Sequence, residues 1–82
     1  MSYMIDSKSV RSVLERAREE TKTVPKDTEF TVKDLFPGYV WGGIELNVRL
    51  KVGSLFLDES RHDETIEVRE KNSANQQLYK KR

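Results

Sequence analysis

One run of seventeen residues, IELNVRLKVGSLFLDES at positions 44–60, admits two incompatible conformations, and the choice decides what the chain can build. From Ile44 to Val52 apolar and polar residues strictly alternate, which is the period of a half-buried strand. From Val48 onward, Val48, Val52, Leu55 and Phe56 recur at helical spacing. Projected at about 100° per residue, those four share one sector and Asn47, Lys51, Ser54 and Asp58 share a polar one. Leu50 and Leu57 fall nearly opposite the first sector, so a helix here is expected to be buried on two sides, with Gly53 allowing a close approach and Asn47 as its N-cap.

The rest of the chain breaks the tie. FTVKDLFPG, residues 30–38, carries a capping box in Thr31 and Asp34, a hydrophobic staple in Phe30 and Leu35, and Pro37-Gly38 as a stop. A short helix is predicted at about 32–36, preceded by a brief strand at about 29–31. Upstream, Asp6 or Ser7 caps a helix at about 7–20 whose apolar stripe is Val10, Val13, Leu14 and Ala17, with Arg11–Glu15 and Arg16–Glu20 as weak surface pairs. Downstream, TIEVRE and QLYKKR flank the polar turn KNSANQ, which predicts a hairpin at about 65–81 with Leu78 pointing inward. The hairpin strands are spent on each other, so a strand at 44–52 has no strong partner. A helix at about 47–60 is therefore expected.

The resulting order is an α+β domain with a winged helix-turn-helix-like three-helix core and a C-terminal β-hairpin wing, spanning residues 1–82 as a single unit. A chain this short has one small core, so Tyr39 and Trp41 in the YVWGG turn are both expected inside it.

Composition narrows the chemistry. With no cysteine, disulfides, thiolate metal sites and cysteine nucleophiles are excluded together. No signal-like or membrane-length apolar run is present, so the expected protein is soluble and cytoplasmic, with no membrane partner. Net charge is only +1, but residues 65–82 hold five cations against two acids, whereas residues 58–64 hold four acids against Arg61. A phosphate-facing surface must use the former and avoid the latter.

Three segments, FTVKDLFPGYVWGGI, VRLKVGSLFL and KNSANQQLYKKR, resemble a small uncharacterised bacterial family, a domain of unknown function found in Gram-positive bacteria and their mobile elements. The resemblance spans about residues 28–82 and rests on Phe30 to Phe36, Gly38 to Trp41, Arg49 to Phe56, and Tyr79. Gly42-Gly43 and Asn47-Val48 depart from the family pattern, which has polar residues after the Trp and a Gly-Asp pair before the Arg. The resemblance implies the element order and brings no activity with it.

Two functions are compatible with these features. In the first, double-stranded DNA is the partner: Asn47, Arg49, Lys51 and Ser54 face bases or phosphates, while Lys71, Lys80, Lys81 and Arg82 hold the backbone from the wing. In the second, the domain is a protein-interaction module or a homodimeric accessory protein that binds no nucleic acid. An enzyme is not expected. His62 lies among Asp58, Glu59, Asp63 and Glu64, but these form a solvated acidic corner without fixed ligand geometry, so no metal or cofactor is expected. No phosphate-binding loop or hydrolase motif is present.

Overall fold

The computed structural model describes residues 5–82, so the first four residues of the expected 1–82 unit lie outside it. The elements are α1 (Val10–Thr21), β1 (Glu29–Phe30), a 3-10 turn (Lys33–Leu35), α2 (Gly38–Gly42), α3 (Leu46–Ser60), β2 (Ile66–Lys71) and β3 (Gln77–Lys81). The strands form one antiparallel sheet in the order β1-β3-β2.

The ambiguous run resolves as a helix from Leu46 to Ser60, with Ile44 and Glu45 before it. Val48, Val52, Phe56 and Ser60 are buried on one face, while Leu46 and Leu50 are 60% and 64% exposed. The strand-like alternation therefore came from two leucines that point to water, and the expected burial on two sides is corrected at Leu50, which is open, whereas Leu57 is partly buried against the core. Gly53 has open space where a Cβ would stand, so no close approach explains it. Asn47 is not the N-cap either. Glu45 occupies that place without a side-chain bond, and the helix starts at Leu46.

Three further boundaries differ from expectation. Helix α1 is capped by Ser9, whose Oγ accepts from the Ser12 amide at 3.1 Å. Asp6, one of the expected caps, instead accepts from the Lys8 amide at 3.0 Å and closes the preceding turn. The capping box is present as read: the Thr31 amide donates to Asp34 Oδ2 at 2.8 Å and the Asp34 amide to Thr31 Oγ1 at 3.3 Å. It starts only the 3-10 turn, however, and the second α-helix lies beyond Pro37, in the segment expected to be a turn. Proline has no amide to extend the preceding turn, while its carbonyl is free to accept, here from Val40 and Trp41 at 3.0 Å each.

The hairpin register also corrects an expectation. Tyr79, not Leu78, points inward; it pairs with Phe30 on one side and Val68 on the other. A one-residue slip reverses every side chain in a strand, so the choice follows from which residue the core accepts. Tyr79 is 1% exposed, stacks on Phe30 at 5.7 Å and meets Phe56 of α3 edge-on at 4.9 Å. The polar turn is held by Asn72, whose Oδ1 accepts from the Ala74 and Gln76 amides at 3.0 Å each, and Asn75 takes a left-handed φ of 63° that asparagine tolerates.

Two outcomes follow. Thr31→Ala removes one half of the reciprocal cap and should cost about 1 kcal/mol in a denaturant titration. Burial pushes the Tyr79 hydroxyl up to about 12 from its usual 10. An acid whose pKa is raised by folding stays neutral in the folded state while the unfolded chain ionises, so its contribution is whole below pH 10 and is lost as pH rises from 10 to about 12. The expected loss is about 2 to 3 kcal/mol between pH 9 and pH 12, and Tyr79→Phe should remove that part of the decline.

Candidate nucleic-acid interface

Helix α3 packs its inner face on α1 and β2, so its outer face is defined by what the core leaves over. Asn47, Lys51 and Ser54 are exposed there, and their spacing of three and four residues sets them in one stripe. Lys51 forms no ion pair among the described residues. Of the acids that follow, Asp58 is held by Arg61 at 3.6 Å. Asp63 accepts from the Thr65 hydroxyl and amide at 2.6 and 2.8 Å, and these bonds lower its pKa.

Arg49 is placed differently from its neighbours in the stripe. It is half-buried, with its guanidinium carbon 5.9 Å from the centre of the Trp41 ring, and its buried Nε has no hydrogen-bond partner among the described residues. Trp41 in turn lies against Phe36 at 5.5 Å. Stacking on an indole face offsets part of the cost of covering a cation. Arg49 thus braces α3 against α2, which separates it from the exposed stripe. Tyr39, expected in the core with Trp41, is 78% exposed. Five residues of helix have room to turn one of the two rings toward the core, and Trp41 takes that side, partly buried.

The hairpin cations divide in the same way. Lys81 Nζ donates to the Thr21 carbonyl at 2.7 Å, which places its charge at the negative end of α1. On the outer face of the sheet, Arg69 bonds Glu67 at 2.7 Å and Glu29 at 3.5 Å, and Arg82 lies 4.0 Å from Glu67. The Arg69 bond lowers the pKa of Glu67 and raises that of Arg69. Lys80 stands between Glu29 and Glu67 in the strand register. Lys71, at the end of β2 beside the turn, is exposed and without an ion pair among the described residues. Of the eight candidate positions, the structure leaves Asn47, Lys51, Ser54 and Lys71 unengaged among the described residues, uses Arg49 and Lys81 within the fold, and sets Lys80 and Arg82 beside glutamates on the outer face of the sheet.

Sequence pattern could not separate these groups. Lys80, Lys81 and Arg82 are adjacent in the chain, yet the pleat sends alternate side chains to opposite faces. The missed feature is the exposed pair Leu46 and Leu50, whose only sequence signal was the alternation that mimicked a strand.

Among the described residues there is no cluster of three or more histidine or acidic side chains placed to hold a metal ion, and no helix long and apolar enough to cross a membrane. A cleft of about 1150 Å³ opens between α1 and the end of α3, lined by Arg18, Glu59, His62 and Lys81 among others. Arg18 and Glu59 are bonded to each other across it at 3.5 Å.

A protein-family model described as a domain of unknown function (DUF1413) matches residues 15–81. The match begins within α1, earlier than the resemblance read from the motifs. No curated protein and no solved structure matches the chain.

Lys81 and Lys51 should behave as different kinds of cation. Replacing Lys81 with methionine should lower the unfolding free energy by about 1 to 2 kcal/mol, because the Thr21 carbonyl and the helix end both lose their partner. Lys51→Ala should change stability by no more than about 0.5 kcal/mol. Equal stability of the two variants in urea would show that the Lys81 contact contributes nothing.

Proposed function

The chain belongs to the family described as a domain of unknown function (DUF1413), and with no activity to inherit from it we propose, from geometry, a cytoplasmic winged-helix protein that binds duplex DNA. In this reading α3 is the helix that enters the major groove, and the β2–β3 hairpin is the wing. The element order and the sheet order β1-β3-β2 are those a winged helix-turn-helix uses to turn one helix outward. At 15 residues α3 is about 22 Å long, enough to lie along a groove about 12 Å wide.

One observation carries the reading: the open face of α3 sets Asn47, Lys51 and Ser54 side by side, where their side chains bond no other group among the described residues. Asparagine bonds adenine through two atoms, serine bonds either purine or pyrimidine edges, and lysine supplies charge toward phosphate or guanine. Lys71 is the wing contact and Lys80 a second, weaker one, since two glutamates flank it in the register. Arg49 and Lys81 are held within the fold, and Arg82 lies beside Glu67 on the outer sheet face. A net charge of +1 implies modest affinity, because a few phosphate contacts must supply the attraction.

A second reading has its own support. Tyr39, Leu46 and Leu50 are large apolar side chains left in water, and such residues mark protein contacts when they adjoin one another. A homodimer or another protein would then cover α3.

The two readings separate in one titration. DNA binding measured by fluorescence anisotropy should weaken with salt, with a slope of about −3 in log affinity against log salt for three phosphate contacts, and Lys51→Ala or Lys71→Ala should each reduce it by about 1. Binding that ignores salt, or that survives both replacements unchanged, removes the DNA reading.

A further inference from the structure

The open face of α3 is not uniformly polar. At about 100° per residue, Leu46, Leu50, Ser54, Asn47 and Lys51 follow one another around the helix within about 140°, so two leucines border the polar stripe directly. Their exposure, 60% and 64%, is far from what a small domain gives a leucine that its core can use. The inner face is already complete, with Val48, Val52 and Phe56 buried. The surface leucines therefore add little to the core.

Resting on the DNA reading, we infer that this face selects thymine–adenine pairs: Leu46 and Leu50 pack on thymine 5-methyl groups while Asn47 bonds N6 and N7 of the neighbouring adenine. The thymine methyl is the one apolar group that the major groove displays, and adenine's pair of donor and acceptor is the pattern an asparagine amide matches. Both sit on the groove edge of the same base pair, as Leu50 and Asn47 sit on the same edge of the helix.

Charge decides for DNA over a protein as the occupant. Lys51 closes the far border of the polar stripe that the leucines open, with no carboxylate paired to it among the described residues, and Lys71 on the hairpin is likewise unpaired among them. Asp58, the acid farther along the stripe, is bonded to Arg61. The exposed Glu45 at the N-cap repels phosphate, which places the backbone contact at Lys51 and leaves the first turn to base edges.

The test uses the full chain and three duplexes of equal length: one rich in thymine–adenine pairs, the same duplex with deoxyuridine for every thymidine, and one of guanine–cytosine pairs only. Affinity should fall about threefold to tenfold from thymidine to deoxyuridine, since only the methyl groups are removed. Leu50→Ala should shrink that difference, and Leu46→Ala combined with Leu50→Ala should erase it, while the salt dependence and the thermal midpoint are kept. Asn47→Ala should weaken binding to both adenine-containing duplexes and preserve the ratio between them. Salt-dependent binding that is equal for thymidine and deoxyuridine overturns the inference and leaves the DNA reading standing. Failure to bind any duplex overturns both. Sedimentation of the same variants supplies the remaining outcome: a dimer that Leu50→Ala dissociates would show that a second copy covers the leucines, and would also overturn the inference.

Discussion

The ring of Tyr79 is where the sheet and the helices become one body. It lies on the central strand, between Phe30 of β1 and Val68 of β2, and its edge meets Phe56 of α3 at 4.9 Å. In a domain of this size the core holds few large side chains, so one aromatic cluster contributes a large share of the apolar area removed from water. Because Tyr79 faces inward, Leu78 and Lys80 face outward, and the register of the whole hairpin follows. Because Phe56 receives it, α3 is rotated to bury Val48 and Val52, and on the opposite side Leu46 and Leu50 are left uncovered.

That rotation connects packing to function. The same turn of α3 that satisfies the core presents Asn47, Lys51 and Ser54 to solvent and leaves Leu46 and Leu50 beside them. Arg49, next in the chain to Val48, is drawn against Trp41 and joins α3 to α2. Positive charge is distributed by the same logic. Lys81 closes the end of α1, and the outer sheet face pairs its arginines with Glu29 and Glu67. What remains unpaired on α3 and the hairpin is a small part of the charge that the composition suggested, which is why a proposal of DNA binding here is one of modest affinity.

Legibility tracked how local each interaction is. The Thr31–Asp34 cap spans four residues and could be read directly, as could the Arg11–Glu15 and Arg16–Glu20 pairs at 3.1 and 3.0 Å. Pro37 was legible as a break, but its second property, starting the next helix, depends on Trp41 having Phe36 to pack against. The hairpin was legible and its inward residue was not, since TIEVRE and QLYKKR can pair in either register until Phe30 and Phe56 select Tyr79.

By itself the sequence determined the order of elements apart from α2, which it read as a turn: cap, break and turn residues act within a few positions, and residues 44–52 lacked a strand partner. It also determined the fold class, α+β, through the contrast between helical spacing in α1 and period-two patterning in the hairpin. Only the tertiary structure decided which side chains at the candidate site are free. Asn47, Arg49 and Lys51 are alternate polar residues of one run, yet Arg49 is taken by Trp41. Lys80 and Lys81 are neighbours, yet Lys81 is taken by α1. Whether a cation faces solvent depends on the partners that distant segments bring to it, and those partners exist only once the core has set the rotation of α3 and the register of β3.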